Sequence, residues 1–225
     1  MSSSYEVQIK LTLSAAGPVL VSSGSDNQVH PEMADHIFLM GKSDGKDTYV
    51  IPGSSLKGVI RHYLCRQPDY SDGMIEELFG KIGGETKKSK IAFSDLYADM
   101  NTVQTEIRNS TALGGVSQSA KNGTLNNMQP VTRGNFCGNI RSLKALNAQE
   151  LCMILDAIQA IDCFTICIGG KISRGFGRMH VSSFSMTLSD GYDPATMRPR
   201  IAAEYDSFVT AKTALSAECS GERKV

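Results

Sequence analysis

The sequence lacks the features of several large protein classes. Its 23 lysine and arginine residues are balanced by 23 aspartate and glutamate residues, so no net charge attracts nucleic acid or a membrane surface. No apolar run approaches the roughly 20 residues that a membrane span needs, and MSSSYEVQIKLTL lacks the basic and then apolar regions of a signal peptide. We therefore expect a cytoplasmic protein with no membrane partner, in which any basic surface is local.

The six cysteines also lack the spacing of a metal site. They form no C-x-x-C pair, and most of them lie in apolar runs such as LCM at residues 151–153. The pattern predicts small, buried, reduced thiols.

What is present is a series of periodic segments typical of alternating strands and helices. Strands are predicted at residues 5–13, 90–98, 135–143, 164–168 and 179–188, with a small hairpin formed by 36–40 and 48–51 around 41–47. Helices are predicted after Ser54 or Ser55 through LKGVIRHYLCR, at 73–79, and from Asn147, whose N-x-x-E pattern with Glu150 predicts a capping box. The main elements read β-α-β-β-α-β, which predicts an α+β, ferredoxin-like fold.

Polar segments interrupt this pattern at two places. Residues 22–52 and 106–133 are predicted insertions in a single domain that spans residues 1–215, and residues 216–225 are predicted to be a frayed tail. The segment 106–133 has few apolar residues, so we expect it to lie outside the core.

The segment PGSSLKG at residues 52–58 begins a helix. The free N–H groups and the positive dipole end of a helix bind anions. Ser54, Ser55, Lys57 and Arg61 are therefore candidate contacts to phosphate. The alternative is ordinary capping above a solvated basic face.

The segment GGKISRGFG at residues 169–177 is rich in glycine and basic residues. It lacks both the P-loop pattern and the G-x-G-x-x-G fingerprint, which argues against nucleotide hydrolysis and dinucleotide binding. Glycine-rich loops present amides and cations to phosphate, although a structural tight turn explains the same composition. The candidate contacts are Gly169, Gly170, Lys171, Arg174, Gly175 and Arg178.

Together, PGSSLKG and GGKISRGFG resemble the RAMP superfamily of CRISPR proteins, specifically the major repeated backbone subunit of type III (Csm-like) effector complexes. The resemblance covers residues 5–187, and ELFG at 77–80 is a weaker match. It implies a modified ferredoxin-like (RRM-like) palm that holds the CRISPR guide RNA backbone at these two segments. It also implies a thumb hairpin at 106–133, for which a disordered linker is the alternative, and copies of the chain joined in a helical filament with other effector subunits.

The resemblance further implies that the assembled complex cuts target single-stranded RNA with a divalent metal. Asp35 is the candidate metal ligand and catalytic residue for Mg²⁺, and Asp26 is its competitor. His36 is a candidate for proton transfer. Two alternatives are a non-catalytic RNA-binding subunit and a metal-independent CRISPR RNA-processing endonuclease that uses His36 or His62.

Overall fold

A computed structural model describes residues 4–22, 36–81, 83, 86–111, 126–192, 196 and 198–219. Its strands are β1 (Ser4–Ala15), β2 (His36–Ile37), β3 (Met40–Ser43), β4 (Lys46–Ile51), β5 (Ile91–Phe93), β6 (Leu96–Ala98), β7 (Gln104–Thr105), β8 (Arg108–Ser110), β9 (Asn126–Gln129), β10 (Val131–Arg133), β11 (Asn135–Ser142), β12 (Leu146–Asn147), β13 (Met179–Tyr192) and β14 (Pro199–Tyr205). Its helices are α1 (Gly53–Leu64), α2 (Asp72–Phe79), α3 (Ala148–Asp162) and α4 (Phe208–Cys219), and Ile172–Arg174 form one 3₁₀ turn. The described chain is thus a mixed α+β structure.

A large antiparallel sheet organises the fold. Its nine described strands follow the order β14-β13-β1-β11-β6-β4-β3, with β12 paired to β1 and β5 paired to β11. In the central strand β1, Val7, Ile9 and Leu11 are buried whereas Gln8 and Lys10 are exposed. The alternation predicted for residues 5–13 is therefore confirmed, and it turns one face of the sheet towards the core.

The helices cover this apolar face. Helix α1 buries Leu56, Ile60 and Leu64 against the core, at the spacing predicted from the sequence. Full burial of one such side chain contributes about 1.5–3 kcal/mol. Within the described part of the chain, no helix combines the length and apolar character needed to cross a membrane.

Helix α3 begins where the sequence predicts it. Asn147 Oδ1 accepts a hydrogen bond from the N–H of Glu150 at 2.8 Å, and Glu150 Oε2 accepts one from the N–H of Asn147 at 3.0 Å. The predicted capping box is confirmed, and such a cap stabilises a helix by about 1 kcal/mol.

The predicted strand at 164–168 is wrong. Phe164 has a positive φ of 61°, and the N–H of Ile166 donates to the carbonyl of Ala160 at 3.0 Å, so the chain folds back over the end of α3. Ile166 and Ile168 are buried there without pairing in a strand. The apolar run covers a helix end, and composition alone does not distinguish this role from a buried strand.

The hairpin predicted near residues 41–47 is present as β3 and β4, although its strands are shifted. Only Asp44 and Gly45 form the turn, and Gly41 already belongs to β3. His36 and Ile37 instead leave the hairpin and pair with β9 in a separate three-stranded sheet, β2-β9-β8.

Two expectations about polar or terminal segments are also corrected. Met128 and Val131 are buried, at 3% and 0% exposure, so the end of 106–133 contributes to the core. Helix α4 packs on α3 through Ala211 and Leu215, and it continues to Cys219, so residues 216–219 are helical rather than frayed. Residues 220–225 and 112–125 lie outside the described residues.

The thiols are free, but the expectation that they are buried is wrong. Four of the six cysteines are exposed, and Cys152 and Cys167 are half-buried. An apolar run therefore places a cysteine near the core without enclosing it.

Candidate nucleic-acid interface

The N-terminal end of α1 differs from the predicted anion site. The N-cap is Pro52 without a side-chain bond, so neither Ser54 nor Ser55 caps the helix. The N–H of Gly53 donates to Asp95 Oδ1 at 2.8 Å. A carboxylate from the β5–β6 connection thus stabilises the helix dipole at the place expected for a phosphate. Within the described chain, Ser54 retains an N–H without a partner, whereas that of Ser55 donates to the carbonyl of Pro52.

The exposed side of α1 carries a row of basic residues. Lys57 Nζ donates to Ser89 Oγ at 3.0 Å, and burial lowers the pKa of Lys57, with a further decrease from the neighbouring Arg61. His62 and Arg66 are solvent-exposed on the turns that follow. These side chains form a basic edge along the helix.

The glycine-rich loop (residues 169–177) packs against the chain that follows β1. The N–H of Gly170 donates to the carbonyl of Leu20 at 2.8 Å, and the N–H of Gly177 donates to that of Pro18 at 2.8 Å. Gly169 has a φ of 94°, and a Cβ there would lie 2.3 Å from the Leu20 carbonyl oxygen. Glycine at position 169 is therefore needed for close packing within the chain, whereas a Cβ at Gly170 would fit at an ordinary contact distance of 3.9 Å.

The basic residues of the loop remain without carboxylate partners. Within the described residues, Lys171, Arg174 and Arg178 form no ion pair. Arg174 Nη1 donates to Ser110 Oγ at 3.1 Å, which holds its guanidinium beside β8. Arg178 is fully at the surface, and Gly175, with a φ of 82°, closes the 3₁₀ turn by donating to the carbonyl of Ile172. Positive charge on this loop is thus available to an anionic ligand.

An open cleft of about 470 Å³ lies between α1 and the segment 165–172, which leads into the glycine-rich loop, and we call it the α1–loop cleft. Val59, Ile166 and Ile172 give it apolar walls, and His62 and Arg66 lie at its edge. No acidic residue is among its described lining residues. Ile172 is the one residue of the glycine-rich loop in this described lining, and none of the predicted RNA-binding residues is part of it.

Comparison with known protein families finds a match over most of the chain. The model of the RAMP superfamily matches residues 12–180, a range that includes all of α1 and the whole glycine-rich loop. The chain belongs to the RAMP superfamily. A search of curated proteins finds no match to the sequence. Membership indicates a CRISPR-associated RNA-binding role for this RAMP protein.

The glycine-rich loop of this RAMP protein also contacts the three-stranded sheet. Met128 of β9 pairs with Arg108 of β8 on one side and with His36 of β2 on the other, so the three side chains share one row. Met128 packs with Phe176 of the loop, and the Arg108 guanidinium lies 5.8 Å from the centre of that ring. Half-buried His36 is thus in the sheet that supports the loop.

The predicted metal ligand cannot be placed in this RAMP protein. Asp35, which directly precedes β2 in the sequence, and its competitor Asp26 both lie outside the described residues. Among the residues that are described, no three histidine, cysteine, aspartate or glutamate side chains are grouped so that they could hold a metal ion. The Mg²⁺ site and the catalytic roles of Asp35 and His36 stay predictions.

Sequence reasoning missed part of the cleft. Arg66 and Ile172 were not among the candidates, although both line it. Arg66 lies in the turn that follows α1, and the predicted helix LKGVIRHYLCR extended to it, so its closeness to the basic residues of the helix carries a signal for it. Ile172 has no comparable signal, because the loop is not periodic.

Proposed function

We propose that this RAMP protein is a guide-RNA-binding backbone subunit of a type III CRISPR effector complex. The observation that carries the proposal is the basic edge of α1 at the α1–loop cleft, whose described lining includes His62 and Arg66 and no acidic residue. An RNA backbone needs this environment, since phosphate contacts from lysine and arginine supply most of the sequence-independent affinity.

The strand order supports a modified ferredoxin-like palm. Four core strands stand in the order β13-β1-β11-β6, and α1 and α3 connect strands of this set. This arrangement fits the β-α-β-β-α-β pattern, with the β3–β4 hairpin and β14 added at the two edges. The segment 106–133 remains the proposed thumb, and β8 and β9 pair antiparallel at its base.

The contacts suit a protein that reads the RNA backbone. The cations of α1 and of the loop contact phosphates whatever the base sequence, so specificity comes from base pairing between guide and target. Copies joined head to tail repeat this surface along one guide RNA, which makes an open helical filament.

We further propose that Asp35 supports cutting of target RNA. Mg²⁺ bound there would supply positive charge to the scissile phosphate. Residues 36 and 37 pair with β9, so Asp35 immediately precedes the sheet on which the glycine-rich loop rests. In the sequence, the candidate acidic residue therefore directly precedes a strand of the sheet that contacts the glycine-rich loop.

The test uses the assembled complex with guide RNA and a matching target. Asp35→Asn is expected to bind target as the wild type does and to lose Mg²⁺-dependent cleavage, because the amide keeps the shape but loses the charge. Asp26→Asn is the matched control and should still cut. Cleavage retained by Asp35→Asn, or lost only in Asp26→Asn, contradicts this assignment.

One observation favours a second candidate function. His62 lines the α1–loop cleft, where an imidazole is placed for acid–base chemistry on bound RNA. A CRISPR RNA-processing enzyme of this kind would cut repeat RNA in EDTA and would lose that activity in His62→Ala. Activity that needs Mg²⁺ and survives His62→Ala excludes this alternative.

A further inference from the structure

The α1–loop cleft contains more apolar surface than phosphate binding needs. Ile172 is 51% exposed at its edge, although its neighbours in the loop are basic or polar. Val59 and Tyr63 continue the apolar wall on the helix side. Phosphates alone would leave these side chains exposed to water, so a ligand that covers them has an apolar part.

The wall of the cleft on the α1 side also has an opening, at a position where the helix has glycine and therefore no side chain. Gly58 lines the cleft in the middle of α1, and a Cβ at this position would meet no atom within 4 Å. Glycine weakens a helix interior, and no packing inside the described chain requires it here. A flat group can thus approach the helix backbone closely at Gly58.

The edge of the cleft offers hydrogen bonds as well as charge. Gln67 Nε2 donates to the carbonyl of Tyr63 at 3.4 Å, which holds the amide at the wall and leaves its oxygen as an acceptor. Thr165 is exposed on the opposite, loop side and adds a hydroxyl. Arg66 gives the same edge a positive charge.

We propose that the α1–loop cleft binds one unstacked nucleobase of the RNA whose backbone runs along the basic residues of α1 and the loop. The inference rests on the proposed RNA-binding function and adds a base site to it. The faces of a nucleobase are apolar and stack on aromatic and aliphatic walls, whereas its edges form hydrogen bonds and its own phosphate is anionic. The apolar walls, the polar groups and the Arg66 guanidinium at the edge of the cleft match these three parts.

The site tolerates different bases. Gln67 and Thr165 each offer both a donor and an acceptor, and every base has a face that stacks. The expected ligand is therefore any nucleotide of single-stranded RNA, bound with a weak preference among bases.

The test compares two single-stranded RNAs of equal length and equal phosphate number. One is oligouridine, and the other carries abasic ribose at every position. The full-length wild type is expected to bind the oligouridine about tenfold more tightly. Gly58→Phe fills the cleft from the open side of α1 and should lose this advantage while it keeps the affinity for the abasic RNA. Gly73→Phe, in α2, is the matched control, since a Cβ there would meet only Ser71 Oγ, at 4.0 Å, and it should keep the advantage.

A second variant tests the same site in case Gly58→Phe does not fold. Ile172→Ser removes the exposed apolar wall without adding bulk, and it should reduce the oligouridine advantage by at least half. Equal binding of both RNAs by the wild type would overturn the base site and leave backbone binding intact. If Gly58→Phe and Ile172→Ser both keep the full preference for oligouridine, the base does not bind in the α1–loop cleft, and the cleft binds another group, such as a protein side chain. Binding of neither RNA by the wild type would instead contradict the proposed function itself.

Discussion

The strongest quantitative test of the RNA-binding surface is removal of two loop cations. Lys171 lies in the glycine-rich loop and Arg178 directly follows it, and neither forms an ion pair within the described residues. Neither makes the side-chain hydrogen bond that Arg174 makes to Ser110. The variant Lys171→Ala/Arg178→Ala therefore removes two charges with little change to contacts inside the chain.

The size of the effect follows from counterion release. Each phosphate contact to a single strand contributes about 0.7 to the slope of log K against log salt, so two lost contacts lower the slope by about 1.4. At about 0.1 M salt the same two contacts are worth roughly 25-fold in affinity. The loss should be the same for RNAs of different sequence, because phosphates carry no sequence information.

The assay is fluorescence anisotropy of a labelled single-stranded RNA over a series of salt concentrations. The matched control is Lys42→Ala/Arg200→Ala, which also removes two charges. Both residues are exposed and paired, with Asp47 and Asp190, on strands at the two ends of the large sheet. An equal loss in both variants would mean that net charge matters rather than the loop. An unchanged salt slope in the loop variant would refute the prediction that RNA phosphates bind at this loop.

Three further predictions concern the start of α1, the half-buried Tyr70 and two glycines. Asp95→Asn is expected to raise RNA affinity by about two- to fivefold in the same assay, because the carboxylate at the start of α1 repels phosphate; an unchanged affinity would place the RNA away from this end. Burial, together with the hydrogen bond to Asp156, raises the pKa of Tyr70 above its usual 10, so the wild type loses stability as the pH rises beyond 10. Denaturant unfolding of Tyr70→Phe should show a stability about 1.5–3 kcal/mol lower at neutral pH and a shallower decline at alkaline pH, and parallel declines would contradict this. Gly169→Ala should lower the free energy of unfolding by about 3 kcal/mol or more, whereas Gly58→Ala should raise it by about 0.5–1 kcal/mol. Thermal melting of both variants tests whether close packing is the reason for glycine at position 169.

The parts of the fold that the sequence predicts are those with a local cause. The alternation in β1 and the capping box at Asn147 and Glu150 depend on residues a few positions apart, and both are present. Helix α4 and β14 went unpredicted because their patterns are weak. Only Ala211 and Leu215 are buried in α4, and most of β14 is exposed.

The candidate site was only partly predictable, because some of its contacts join residues that are far apart in the sequence. Spacing indicated that Lys57 and Arg61 share one side of α1, but the contact between Asp95 and Gly53 joins residues 42 positions apart. The need for glycine at position 169 likewise arises from the distant carbonyl of Leu20. A single sequence holds no direct signal for such contacts, since they depend on how the elements pack.

The packing of the glycine-rich loop links the α1–loop cleft to the three-stranded sheet. Ile172 of the loop lines the α1–loop cleft, and Phe176 of the loop packs on the row formed by His36, Met128 and Arg108. Because Phe176 is buried, a shift of the loop towards RNA in the cleft has to move this ring against Met128 or move the row with it. RNA bound on the α1 side therefore constrains the strand that begins at His36, immediately after Asp35. This arrangement predicts that Phe176→Ala weakens the influence of RNA binding on residues 36–37 and leaves the cations of α1 in place. Hydrogen exchange at β2, measured with and without RNA, should then report protection in the wild type and little change in Phe176→Ala, whereas equal protection in both proteins would mean that the loop and the three-stranded sheet respond to RNA independently.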